Sequence, residues 1–372
     1  MLFSYLTRPV PLAVFFWLLL GLSCLAPATP SLAAEEPRPD GVGADRLNEP
    51  ATPSLAAEEP RQPWTVHLYV ENDYFSGTDS DYSSGVKFSL ISPDLPTFAD
   101  CGKLPEWSHE YIERLPFIND PDPAVKRKVA FALGQDIYTP SNASRNNPNN
   151  VVRPFAGWAY FATSFQARTS EQMDTIELQL GMVGPSSFAE DTQRIMHDLL
   201  GKRSPKGWGD QLKDEPGLVA IYEHKWQIAP FFSRDNFAMD AITHLGCSLG
   251  NVSTYANTGF ETRLGWNLPN DLGVSLVRPS CNPSFPTGQK ASGYLFAAVN
   301  GRAVFQDIFL DGNTFADSPS VDKKPFVADL AAGVAIYFNQ FKVTWTQVYR
   351  TKEFDGQTEN HDFGSLAVTF FF

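Results

Sequence analysis

The sequence predicts an all-β fold: a transmembrane antiparallel up-and-down β-barrel of about twelve strands, with a helix in an external loop. Three observations point there. Many segments alternate apolar and polar residues over a length that crosses a bilayer when tilted. The N-terminus has the form of an export signal. The chain ends LAVTFFF over 366–372, an alternating stretch closed by an aromatic residue.

Taken in order, Arg8 supplies the positive charge of a signal peptide, and 12–25 form its apolar core. Small residues ending at Ala34 offer a cleavage point, so 1–34 are expected to be removed. The core is short for a membrane span. Leu22-Ser23-Cys24 loosely resembles a lipoprotein box, but Gly21 stands where a leucine is wanted. The block PATPSLAAEEPR at 27–38 recurs word for word at 50–61, which creates a second candidate cleavage point after Ala57. Residues 35–63 are rich in Pro, Ala and Glu without apolar periodicity, and are expected to be a disordered leader. Residues 64–372 then form one barrel domain.

The net charge of −13 argues against a nucleic-acid partner, which calls for a basic footprint. No later segment is apolar enough for a transmembrane helix, so a membrane role requires a barrel. After signal removal Cys101, Cys247 and Cys281 remain. Three thiols allow at most one internal disulfide, and their spacing fits no metal motif.

The first strand, 64–73, sets Val66, Leu68 and Val70 against His67, Tyr69, Glu71 and Asp73. In 82–92, Val86, Phe88 and Leu90 oppose Ser83, Gly85, Lys87 and Ser89. In 128–138, Val129, Phe131, Leu133 and Ile137 oppose Ala130, Ala132, Gly134 and Asp136. In 174–183, Ile176, Leu178, Leu180 and Met182 oppose Thr175, Glu177, Gln179 and Gly181. Further strands are expected at 156–168, 215–228, 236–249, 254–266, 293–310, 325–338, 342–354 and 363–372. In an outer-membrane barrel the apolar parity faces lipid and the polar parity fills the lumen. With a periplasmic start, 74–81 and 184–214 lie outside, while 94–127 are periplasmic with a short helix near 107–115.

Residues 184–212 form the one strongly helical stretch. Ser187 and Glu190 have capping-box spacing, which predicts a helix from there to Leu200. Gly201 stands where a left-handed cap is expected. Gln193 and His197 are four apart and share a face, together with the apolar Met196 and Leu200. A half-buried structural histidine is the competing reading of that pattern.

Asn72 and Asp73 end the first strand, and Ser83 opens the second. Pairing of the two strands brings an amide, a carboxylate and a hydroxyl together, hard oxygen donors suited to calcium. Strand-end Asx residues are also ordinary turn formers.

ENDYFSGTDSDYSSGVKFS, GQDIYTPS, RPFAGWAYF, GPSSFAEDTQRIMH with GWGDQL, and the terminal TFFF occur in this order. The set resembles the outer-membrane lipid A deacylases that remove the acyl chain at the 3'-position. The resemblance covers nearly all of 64–372. It implies a barrel of about twelve strands in the bacterial outer membrane, calcium dependence, and a site between the outer wall and a helix of an external loop. It also implies His197 as the catalytic histidine with Gln193 as its partner. Asn72 and Asp73 match the pair at the site and are the candidate calcium ligands. Ser83 stands where the family carries a hydroxyl, and Arg145 aligns with a substrate-binding lysine. Positions 202–206 depart from the family's acidic and aromatic residues. The implied partners are lipid A and the surrounding outer-membrane lipids, and a monomer is expected.

The chemistry is coherent on its own terms. Ester hydrolysis needs an activated water and charge stabilisation on the tetrahedral oxyanion. A neutral histidine is a suitable base, worth ~10²–10⁴-fold, and calcium can polarise the carbonyl. One rival is an esterase or phospholipase with Ser83 as nucleophile and His197 as base. A second rival is a non-catalytic structural barrel or pore, although about twelve strands leave a narrow interior.

Overall fold

A computed structural model describes residues 64–73, 81–140, 152–201, 205–274 and 291–372. The leader, Cys281, Arg145 and residues 202–204 lie outside the described residues. Twelve antiparallel strands close into one barrel in which each strand pairs with its sequence neighbours and β1 pairs with β12. The strands are β1 (Thr65–Asn72), β2 (Asp81–Ile91), β3 (Lys126–Thr139), β4 (Ala156–Arg168), β5 (Gln172–Val183), β6 (Glu215–Arg234), β7 (Phe237–Gly250), β8 (Ser253–Trp266), β9 (Ala291–Asp307), β10 (Phe326–Phe338), β11 (Phe341–Arg350) and β12 (His361–Phe371).

Three strand ends depart from expectation, each for a local reason. β6 runs on to Arg234, past a ladder irregularity between Ile228 and Phe232. Pro230, which has no N–H to donate, sits in that gap. β9 stops at Asp307 because its carboxylate accepts the Phe309 N–H and starts a one-turn helix. β11 stops at Arg350, after which Thr351 N–H bonds Ala328 and Glu353 N–H bonds Gln357 Oε1.

The helices are α1 (Glu106–Ile112), α2 (Ala189–Leu200) and α3 (Ile308–Asp311). α1 lies in the β2–β3 connection, at the end of the barrel opposite the β5–β6 connection that carries α2. Its connection packs Leu95, Phe98, Ile112 and Ile118 against Val129, Phe165 and Ile176, which have the outward parity. Cys101 there is a buried free thiol, and Cys247 on β7 is an exposed one.

The alternation sorts as a membrane barrel requires. Leu68, Val86, Phe161, Leu180, Leu218 and Leu295 are exposed outward. The opposite parity is buried and polar, and it fills the lumen. At the periplasmic end the β8–β9 connection turns Asp271 inward. Its carboxylate meets Arg263, Lys342 at 2.8 Å and the hydroxyls of Tyr294 and Tyr337. Burial alone would raise this carboxyl, but the Lys342 and Arg263 cations outweigh burial and hold it well below the usual carboxylate range. At the other end Leu212, Val252, Ile308 and Phe309 pack together, with Phe309 stacked on Tyr138 at 4.1 Å. Between the two plugs lies a cavity of about 150 Å³.

Candidate active site on the outer wall

The site begins with a row of side chains across four strands. Asn72 on β1 pairs with Ser84 on β2, Ser84 with Ile137 on β3, and Ile137 with Gly157 on β4. On β4, Trp158 and Tyr160 line the lumen cavity, whereas Phe161 is exposed outward. Period-2 alternation therefore places Gly157, and the row with it, on the lipid-facing surface at the outer rim.

Helix α2 docks on this row. A methyl group on Gly157 would lie 2.1 Å from Ser187 Oγ and 2.3 Å from Ala189 Cβ, so only glycine lets the helix start this close. Gln135, on the same outward parity, donates from Nε2 to Ser187 O at 2.7 Å. Ile137, Phe155, Ala189 and Trp208 form one apolar cluster between wall and helix.

The expected Ser187–Glu190 capping box does not form. Ser187 belongs to a short 3-10 turn, Pro185–Ser187, and its hydroxyl donates to Gly184 O at 2.6 Å. Phe188 then takes a left-handed φ of 58°, and the helix starts at Ala189 with no side-chain cap. The Ser187 hydroxyl is thus used within its own turn, which packs closely on Gly157. Glu190 and Asp191 still place negative charge in the first turn, where the helix dipole favours it. Gly201 caps the other end at φ 68°, as expected.

Ala189, Gln193 and His197 recur every four residues and are buried together, with Gln193 5% and His197 8% exposed. Met196 does not join them. A position three residues on from Gln193 falls to the edge of that face, and Met196 is 49% exposed alongside Ile195 and Leu199. The helix thus turns its polar pair towards the barrel and an apolar stripe away from it. The side chain of Leu200 is not described.

Asp73 follows β1 and is buried, while Asn72 is half-buried in the outward row. Ser83 is the extra residue of a bulge in the β2–β3 ladder, between Tyr82 and Ser84. Continuing the β1–β2 register by one step sets it beside Asp73; its side chain is not described. Among the described residues no three His, Cys, Asp or Glu side chains are grouped as metal ligands. The donor types of Asn72 and Asp73, an amide and a carboxylate oxygen, suit a hard cation such as calcium.

Sequence reasoning passed over Trp208. It lies in a 3-10 turn, Trp208–Asp210, packs on Phe155 at 5.1 Å between centroids, and donates from Nε1 to Gln193 Oε1 at 3.0 Å. Its place in GWGDQL, next to glycines, was the available signal.

The family described as Outer membrane protein LpxR matches residues 44–372. In three dimensions the chain is similar to LpxR from Salmonella typhimurium, with TM-score 0.66 and 18% identity, covering 83% of this chain and 100% of that one. The likeness to the β domain of the Bordetella autotransporter BrkA is much looser, at TM-score 0.40 and 10% identity over 84% of this chain and 100% of that one. An outer membrane channel from Pseudomonas putida F1 aligns at TM-score 0.39 and 9% identity over 87% of this chain and 100% of that one. No curated protein matches the chain in sequence.

Proposed function

Because the chain belongs to the LpxR family of outer-membrane proteins, we propose that it is a lipid A deacylase that hydrolyses the ester-linked acyl chain at the 3'-position. The observation that carries this reading is the buried Gln193–His197 face of α2, docked on the lipid-facing wall. A base placed there meets acyl esters in the outer leaflet without drawing the lipid through the barrel. The exposed Ile195, Met196 and Leu199 give acyl chains an apolar surface on the same helix.

In this reading His197 takes the proton of the attacking water, and Gln193 lies one turn away to contact the reacting ester. Asn72 and Asp73 would hold calcium, which supplies charge stabilisation at the ester oxygen when bound. Ser83 adds a hydroxyl beside Asp73, and Arg145 binds an anionic group of the substrate.

The test is mass spectrometry of lipid A from cells expressing wild type or His197→Ala. Wild type should remove the 3'-position chain. The variant should lower turnover by ~10²-fold or more, the range for a positioned base, with heat-modifiable gel migration intact. A folded His197→Ala barrel that deacylates at the wild-type rate would sink the reading.

A further inference from the structure

The Gln193 side chain has two chemically different ends, and the protein dictates which way they point. An indole N–H can only donate a hydrogen bond. Trp208 Nε1 lies 3.0 Å from the Gln193 amide, so the atom facing it must be the oxygen. The NH₂ group is thereby turned the other way. Among the described residues Gln193 Nε2 is buried and has no hydrogen-bond partner. Buried donors are rarely left so, and each such group calls for an explanation.

Trp208 is itself held firmly. It is buried in the cluster with Phe155, Ile137 and Ala189. The preceding Gly207 has φ 136°, and a methyl group there would lie 2.5 Å from the Phe155 ring. Leu212 N–H closes the segment onto Phe155 O at 3.0 Å. The indole is therefore a fixed donor, and the amide turns to suit it. Gln193 and His197 occupy successive turns of one buried helix face, so the two side chains belong to the same site.

We propose that Trp208 is a positioning residue. It locks the Gln193 amide so that the NH₂ group is presented to the carbonyl oxygen of the bound ester, where negative charge develops. This rests on the deacylase reading above. A donor already aimed at the developing oxyanion needs no reorganisation during the reaction, which is how such groups lower the barrier. Without Trp208 the amide can rotate and offer its oxygen, which repels the same charge.

Two variants separate this role from packing. Trp208→Phe keeps the ring against Phe155 but deletes the donor. It should lower kcat about tenfold with KM nearly unchanged, a partial loss of the ~10²–10³-fold attached to one oxyanion donor. On a Gln193→Ala background the same change should have no further effect, whereas a packing role would lower activity equally in both backgrounds. Gln193→Glu keeps an acceptor for the indole but removes the NH₂ group, and its kcat should fall as far as that of Gln193→Ala. Full turnover by Gln193→Glu, or additive losses in the double variant, would overturn the proposal. Gel migration reports folding, and if Trp208→Phe fails to fold, Gln193→Glu decides alone. The deacylase reading fails separately, through an active His197→Ala barrel.

Discussion

At the scale of single residues, the acidic partner of the site can be tested apart from the histidine. Asp73 is buried where β1 ends, so its carboxylate is shielded from bulk water. If Asp73 and Asn72 hold calcium, chelation should abolish deacylation, and Asp73→Ala should match chelated wild type, with barrel migration on gels unchanged. Undiminished turnover in excess chelator would remove calcium from the account. The shared buried face of Gln193 and His197 was legible because helical spacing places residues four apart on one side. Trp208 was not, because its bond to Gln193 spans a loop, and no periodicity relates a turn residue to a helix it folds back upon. The outward turn of Met196 was missed for a related reason: spacing gives neighbours on a helix surface, but docking alone sets which edge is covered.

At the scale of elements, the seating of α2 depends on one missing methyl group. Gly157→Ala would set a Cβ against Ser187 and Ala189 at distances real atoms do not tolerate, so the first turn must lift from the wall. Such overpacking costs about 1–3 kcal/mol. If that strain is felt at the reacting centre, it lowers turnover about tenfold or more. The barrel itself should stay folded, since the glycine's own ladder bonds are unaffected. Wild-type turnover by Gly157→Ala would show that the helix need not sit where it does. The existence, C-terminal end and C-terminal cap of α2 could be read from 184–201. Its start could not, because the Ser187 hydroxyl donates to Gly184 O instead of accepting from the helix, in a turn packed against a strand distant in sequence.

At the scale of the whole molecule, the strands were legible from alternation, and their reading as an up-and-down barrel from alternation together with the export signal and the terminal aromatic strand. The lumen plugs were not legible. Asp271 and Leu212 sit in connections without periodicity, and only barrel closure brings Asp271 to Lys342 and Arg263. If the site proposed above lies where α2 docks on the outer wall, substrate reaches it sideways, along the membrane. The concentration that governs turnover is then a surface density. In mixed micelles with a fixed bulk amount of enzyme and lipid A, adding inert detergent should slow the reaction in proportion to the falling mole fraction of substrate. Rates that follow bulk concentration alone would mean that substrate reaches the helix from water. On that route, diluting the substrate within the outer leaflet should slow its encounter with α2 even where the amount of enzyme is unchanged.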